Sequence, residues 1–197
     1  MRLKYYINEN TNIAQKITNE CSEILNLIWS SSKSKPLTLY RGSKKEVTIA
    51  NRFIPRTDRT PSDVGMKIHN KYDELFYEKF GWKARSEGVF ASGYKRKTYG
   101  KSYMFFPVNG YKFIWSPAIF DLYTSRFNFI TNVVEGFRTY TDENLQKAVL
   151  SGNEIIFKCK AYWLVNIDDA GLGIIHEIGK LNKNEHFTYY SPQINSA

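Results

Sequence analysis

The chain has 197 residues, 42% of them hydrophobic and 16% aromatic, with a formal net charge of +9. That length suits one domain with a sizeable core, and that apolar content excludes a disordered tail. No run reaches the about 18 consecutive apolar residues of a membrane span, and "MRLKYYINEN" lacks the apolar centre of a secretion signal.

Cys21 and Cys159 fit no metal-binding spacing, and His69, His176 and His186 are scattered, so no metal is expected. A reducing, cytoplasmic setting is the simplest reading of so few cysteines. The charge is concentrated: residues 41–101 hold 15 Lys/Arg against 7 Asp/Glu, a surplus of +8. Such a basic third suits phosphates, of a nucleotide or a polynucleotide, or a lysine-rich solvated surface.

In chain order, Ile13, Ile17, Cys21, Ile24, Leu25 and Ile28 recur at helical steps and predict a helix from about Asn12 to Trp29, capped by Thr11. "SSSKSKP" reads as a loop and "LTLYRG" as a strand ending at Gly42. "RFIPRTDRTPSD" reads as irregular, its Arg56 and Arg59 contacting phosphates or pairing with nearby acids. A second helix is expected from Ser62 or Asp63 to Phe80, with Met66, Tyr72, Leu75, Phe76 and Phe80 on its buried side and Gly81 as its stop. "EGVFAS" predicts a strand and "GYKRKTYGKS" a basic loop or short helix.

"YMFFPV" and "YKFIWS" flank Asn109-Gly110, a hairpin dipeptide, and predict a strand pair. Helix is expected over 117–137, with Pro117 in its first turn, and "DENLQKAVL" as a short helix closed by Gly152. "FRTYTDE" reads as an ordinary turn or as a loop that meets a macromolecular partner with Arg138 and Tyr140 exposed; Trp115 and Tyr123 are read as core. Strands are predicted at 154–159, 161–167 and 172–178, with Asp168-Asp169 and Gly171/Gly173 as turns. Helices precede most strands and no βαβ rhythm appears, so the expected fold is a single α+β domain over 1–197 with a largely antiparallel core.

One residue is out of character: Glu154 stands directly ahead of the apolar Ile155, Ile156 and Phe157. Either it is an ordinary acid where a strand leaves a turn, or the strand holds a carboxylate rigid in a pocket. Three segments in order, "LYRGS" (39–43), "GVFASGYKRKTYGKSYMFF" (88–106) and "GNEIIFKCKAYWLVNI" (152–167), resemble those of the ADP-ribosyltransferase superfamily. The resemblance covers about 40 residues and mixes the Arg-Ser-Glu branch with the poly(ADP-ribose) polymerase branch. It implies a split, largely antiparallel β core with peripheral helices, NAD as substrate, and no metal.

The resemblance also implies roles. Arg41 would hold the dinucleotide with its rigid two-toothed fork, and Gly42 would let the backbone approach it; a surface arginine at a strand end is the alternative. Phe90 falls on the strand aromatic, followed by Ala91, and Tyr99 falls on the tyrosine that stacks on nicotinamide. Ser92 fits instead the serine that orients the catalytic glutamate. Lys95, Arg96, Lys97 and Lys101 would steer the pyrophosphate or an anionic acceptor, with Arg56 and Arg59 as further contacts. Glu154 would stabilise the oxocarbenium-like charge as the glycosidic bond breaks.

Two departures stand out. Gly152 occupies the place where arginine-modifying relatives carry a glutamate, which argues against arginine as acceptor. The three segments also mix the branches, with an Arg first, Phe-Ala-Ser second and a Glu third. The expected activity is transfer of single ADP-ribose units to a macromolecular acceptor, protein or nucleic acid. The chain's small, basic, aromatic-rich cast also resembles bacteriophage-encoded proteins, implying an effector in a host cytoplasm. A non-catalytic nucleic-acid-binding module, gripping phosphates through 41–101 and stacking bases on Tyr94, Tyr99 and Tyr103, is the alternative.

Overall fold

The computed structural model describes residues 2–30, 37–60, 65–95, 100–122 and 136–182. Helices α1 (Arg2–Glu20) and α2 (Ser22–Ser30) precede strands β1 (Tyr40–Ser43) and β2 (Ala50–Phe53). Helices α3 (Met66–Phe80) and α4 (Ala84–Glu87) lead into β3 (Val89–Ser92), β4 (Lys101–Pro107) and β5 (Lys112–Trp115). Helix α5 (Leu145–Ser151), strands β6 (Glu154–Lys158) and β7 (Tyr162–Val165) and helix α6 (Asp169–Leu181) complete the order. The seven strands form one sheet in the order β2-β7-β4-β1-β3-β6-β5, and every neighbouring pair is antiparallel. The α+β class with a largely antiparallel core therefore holds.

The sheet is continuous but narrows to a pinch between β1 and β3. Strands β1 and β4 are in register from Tyr40↔Met104 to Ser43↔Lys101, whereas β1 and β3 share the single pair Tyr40↔Ser92. Beyond that pair the two strands diverge. Arg41 bridges the gap, its Nη1 donating to the Phe90 carbonyl at 2.7 Å. A side chain thus satisfies a backbone acceptor where the ladder has ended.

Both faces of β6 are covered, which explains its uninterrupted apolar run. Ile155 and Phe157 join the main core with Val89, Ala91 and Phe105. Ile156 points the other way, into a second cluster with Phe76, Trp82, Ile114, Phe137 and Tyr140. All three β6 residues are fully buried. A one-residue slip would exchange the two sets, so burial pins the register that sets Glu154 opposite Ser92. Tyr140, which a partner-binding loop would expose, is instead buried, its ring edge-on to Phe76 at 5.0 Å.

Other expectations are corrected. The N-terminal helix starts ahead of Asn12, so Thr11 lies inside α1 and is not its N-cap; the helix bends at Cys21, whose Sγ donates to the Phe106 carbonyl at 3.7 Å. Its apolar stripe is buried as the spacing requires, with α1 packed along α6 and α2 on β4. "RFIPR" opens in strand β2, paired with β7. Helix α3 starts at Met66, after residues 61–64, which are outside the described residues. Of the helix expected over 117–137, residues 123–135 lie outside the described residues, Tyr123 among them, and 117–122 are bends and turns.

The Asn109-Gly110 hairpin does not form. Strand β4 sits between β7 and β1, and β5 lies at the far edge against β6. The dipeptide instead grips the α1–α2 junction: Asn109 Nδ2 donates to Ser22 Oγ at 2.9 Å, and Asn109 Oδ1 accepts from Glu23 N at 3.0 Å. Residues 172–178 are helix, not strand. Asp168 caps α6 by accepting from Gly171 N, and Ile174, Ile175 and Ile178 are buried at helical spacing. Gly171 is required there, since a Cβ would lie 1.8 Å from the Asn166 carbonyl oxygen.

Candidate functional site

The pinch between β1 and β3 opens into a cavity of about 480 Å³, within the usual range for ligand pockets. Arg41 and Gly42 reach it from β1, Phe90, Ala91 and Ser92 from β3, and Glu154 from the first position of β6. Arg56 and Arg59 line it from the segment after β2. Segments more than a hundred residues apart thus meet in one space. Lys95 is exposed and does not line the cavity; Arg96, Lys97 and Tyr99 lie outside the described residues. Lys101 faces Asp168, with Nζ 3.8 Å from Oδ2.

Glu154 owes its position to the chain around it. Gly152 ends α5 with φ 71°, a left-handed turn that suits glycine. Asn153 Nδ2 then donates to the Ser116 carbonyl at 2.8 Å, and Glu154 N to the Phe120 carbonyl at 2.9 Å. Two backbone anchors and a fixed register hold a half-buried carboxylate at the cavity wall. Gly152 has a second role: a Cβ there would lie 2.2 Å from Tyr94 Cδ2, so the ring of Tyr94 fills the space a larger residue would need. Tyr94 is itself part of the lining, and its hydroxyl donates to the Leu150 carbonyl at 3.2 Å.

Ser92 is buried, and its hydroxyl is committed to a local turn, donating to the Tyr94 carbonyl at 2.8 Å while accepting from Tyr94 N. It supports the cavity wall beside Glu154. The Phe90 ring carries the Arg59 guanidinium 4.5 Å from its centroid, a cation–π contact. Arg56 pairs instead with Asp58 at 3.2 Å, both well exposed. The Arg41 guanidinium lies 5.5 Å from the Tyr162 ring centroid, so an aromatic plate and the phosphate-type cation share one wall.

The lining is strongly cationic: among the described residues, Arg41, Lys44, Lys45, Arg56, Arg59 and Arg85 face two carboxylates, Asp121 and Glu154. That balance suits a ligand with at least two negative charges and a polar group at the carboxylate end. The field at that end is felt by Tyr140, whose phenol is pushed well up by burial first and by the Glu154 charge second. Sequence reasoning does not single out Tyr40, His69, Arg85 or Asp121, all of which line the cavity. For His69 a signal existed, since His69 and Asp73 stand four apart on a helix. For Tyr40 and Asp121 only the folded chain supplies one. The chain matches no protein-family model, no curated protein and no solved structure, which leaves the cavity and its side chains as the basis for a functional assignment.

Proposed function

We propose that this chain is a mono-ADP-ribosyltransferase, which cleaves NAD at the nicotinamide glycosidic bond and passes ADP-ribose to a macromolecular acceptor. The observation that carries this reading is the convergence of Arg41, Phe90, Ser92 and Glu154 around one cavity, from three separate segments. Arg41, Arg59 and the Lys44-Lys45 pair supply charge for a pyrophosphate. Phe90 and Tyr162 supply flat apolar walls for the rings. Glu154 sits at the opposite electrostatic pole and stabilises the cation that forms on the ribose as the carbon–nitrogen bond lengthens. A fixed anion helps only where positive charge develops, so its effect is on rate more than on binding.

The test is incubation with labelled NAD and cell extract, followed by mass spectrometry of whatever becomes labelled. Wild-type chain is expected to release nicotinamide and label an acceptor. Glu154→Gln is expected to lower kcat by about 10²–10³ with little change in KM. Label transfer that survives this substitution at full rate refutes the role of Glu154. Salt-sensitive nucleic-acid binding without any NAD consumption would show a binding module instead.

A further inference from the structure

Exposed apolar side chains scattered singly need no explanation, but a group of them at one place marks a contact surface. Among the described residues, three gather at the turn that carries Glu154: Tyr94, Phe120 and Leu150, which are 56%, 54% and 56% exposed. Backbone contacts fix all three there. Gly93 lets the chain after β3 lie on the end of α5, since a Cβ would stand 1.8 Å from the Val149 carbonyl oxygen. Tyr94 follows, its ring over Gly152 and its hydroxyl on the Leu150 carbonyl at 3.2 Å. Phe120 is tied to Glu154 itself, its carbonyl accepting from Glu154 N at 2.9 Å. Tyr94 also lines the cavity, so this lip is continuous with the space assigned to NAD.

Cations border the lip. Lys95 follows Tyr94 directly and is exposed. The segment that begins there returns at Gly100, where a Cβ would lie 2.5 Å from the Ser43 carbonyl oxygen. Lys44 and Lys45, next in the chain, are exposed on the cavity rim. Glu46 is the acid in that run, and the exposed Asp142 and Glu143 stand ahead of α5, at the opposite end from Leu150. Flat rings beside several cations suit an unpaired base and its flanking phosphates. An extended peptide is a poorer fit, because β6 lies between β3 and β5 and offers no free strand edge beside Glu154. Burial also selects among the tyrosines of the basic segment. Tyr103 is 1% exposed, with its hydroxyl accepting from Val47 N at 3.2 Å, so it cannot stack on a ligand.

We propose that the acceptor for this chain is an unpaired base of a single-stranded polynucleotide, seated on Tyr94 and Phe120 with its phosphates toward Lys44, Lys45 and Lys95. This rests on the transferase reading above. In the step, a nitrogen of the base bonds to the anomeric carbon of the ribose while the bond from that carbon to nicotinamide breaks. The bonding pair returns to the pyridine nitrogen, so nicotinamide leaves neutral, and the base nitrogen loses one proton to solvent. An intact duplex is a poor acceptor, because its bases are stacked on one another and out of reach of the rings.

The experiment has two readouts. The first needs no NAD: anisotropy of fluorescein-labelled single-stranded DNA and RNA oligonucleotides of mixed sequence, titrated with the full chain at several salt concentrations. Binding should weaken as salt rises, and a duplex of the same sequence should bind less tightly. Tyr94→Ala and Phe120→Ala should each weaken single-strand binding about 5- to 150-fold, the effect of one lost stacking contact. Tyr94→Phe keeps the ring and should bind as wild type does. Replacing Lys44 and Lys45 together by Gln should flatten the logarithmic salt dependence by about 1.4, two phosphate contacts at about 0.7 each. The second readout is mass spectrometry of the same oligonucleotides after incubation with the chain and NAD, which should show one added ADP-ribose.

Oligonucleotides that do not bind, or single strands and duplex that bind alike with no loss in either alanine variant, overturn the proposal. So does NAD-dependent labelling of proteins in a cell extract while the oligonucleotides stay unmodified; the transferase reading then survives without this acceptor. Single-strand binding that depends on Tyr94 and Phe120 but comes with no cleavage of NAD strikes the transferase reading and the acceptor role together, leaving the lip as a nucleic-acid site.

Discussion

Gly152→Ala tests whether Tyr94 and the turn before Glu154 are one mechanical unit. The substitution has two separable costs. At φ 71° a Cβ meets the strain of the left-handed region, about 1–2 kcal/mol. The same Cβ would stand 2.2, 2.4 and 2.8 Å from Cδ2, Cε2 and Cγ of Tyr94, so the ring must swing away. Because Tyr94 is 56% exposed it can do so, but it then loses its hydroxyl bond to the Leu150 carbonyl, a net loss of about 0.5–1.5 kcal/mol. The sum is about 1.5–3.5 kcal/mol, and in a chain of this size each kcal/mol lowers Tm by about 2–4 °C. Urea unfolding of wild type, Gly152→Ala, Tyr94→Ala and the double variant would measure the coupling. The alanine should cost about 0.5–1.5 kcal/mol less once the ring is gone, the backbone strain remaining. Equal cost in both backgrounds would refute the packing argument, and no cost in either would refute the backbone argument too.

Two further predictions concern the frame around the site. Asn109→Ala removes side-chain bonds to Ser22 Oγ, the Asn19 carbonyl and Glu23 N, and should cost about 2–3 kcal/mol in urea unfolding; a loss under 0.5 kcal/mol would mean that β4 and β5 are placed without this anchor. For Glu20, burial raises the carboxyl pKa, but hydrogen bonds from Arg52 and Trp163 and the charges of Arg52 and Lys16 outweigh it, leaving a value below 4.5. A depressed folded-state value gives stability that is present above pH 4.5 and lost as pH falls through the folded value. The urea midpoint should therefore drop more steeply below that pH in wild type than in Glu20→Gln, and parallel curves would remove this pair from the acid response.

The structure also clarifies what Glu154 is doing ahead of an apolar run. Its strand is buried on both faces, so the register cannot slip, and backbone bonds to the 116–120 segment hold the turn that precedes it. The basic surplus of 41–101 is likewise divided by the fold. Arg41, Lys44, Lys45, Arg56, Arg59 and Arg85 collect at the cavity, whereas Lys95 and Lys101 do not.

Much of this protein is local and was readable as such. The apolar spacing of α1 and α2, the glycine stop at Gly81 with φ 74°, and the strands of β3, β6 and β7 all follow from period and turn chemistry. The buried side of α3 follows only in part: Phe76 is buried as expected, but beside the polar His69 and Asp73, while Met66, expected on that side, is 49% exposed. The three segments that supply Arg41, Phe90 to Ser92, and Glu154 stood out by resemblance, not by period. Residue order could not decide which strand lies beside which. Asn109-Gly110 has hairpin chemistry, yet side-chain bonds to the α1–α2 junction send β4 and β5 to different neighbours. Residues 172–178, with two glycines before the isoleucines, lack a clear helical signal until Asp168 caps them and α1 covers them. The pinch between β1 and β3, and with it the cavity, depends on strands separated by nearly fifty residues diverging after one pair. The buried contact of His69 depends on a serine from another helix, Ser86, 2.9 Å from Nε2. Local preference is written in neighbouring side chains, whereas a cavity forms where distant backbones fail to pair, and only the folded chain determines where that is.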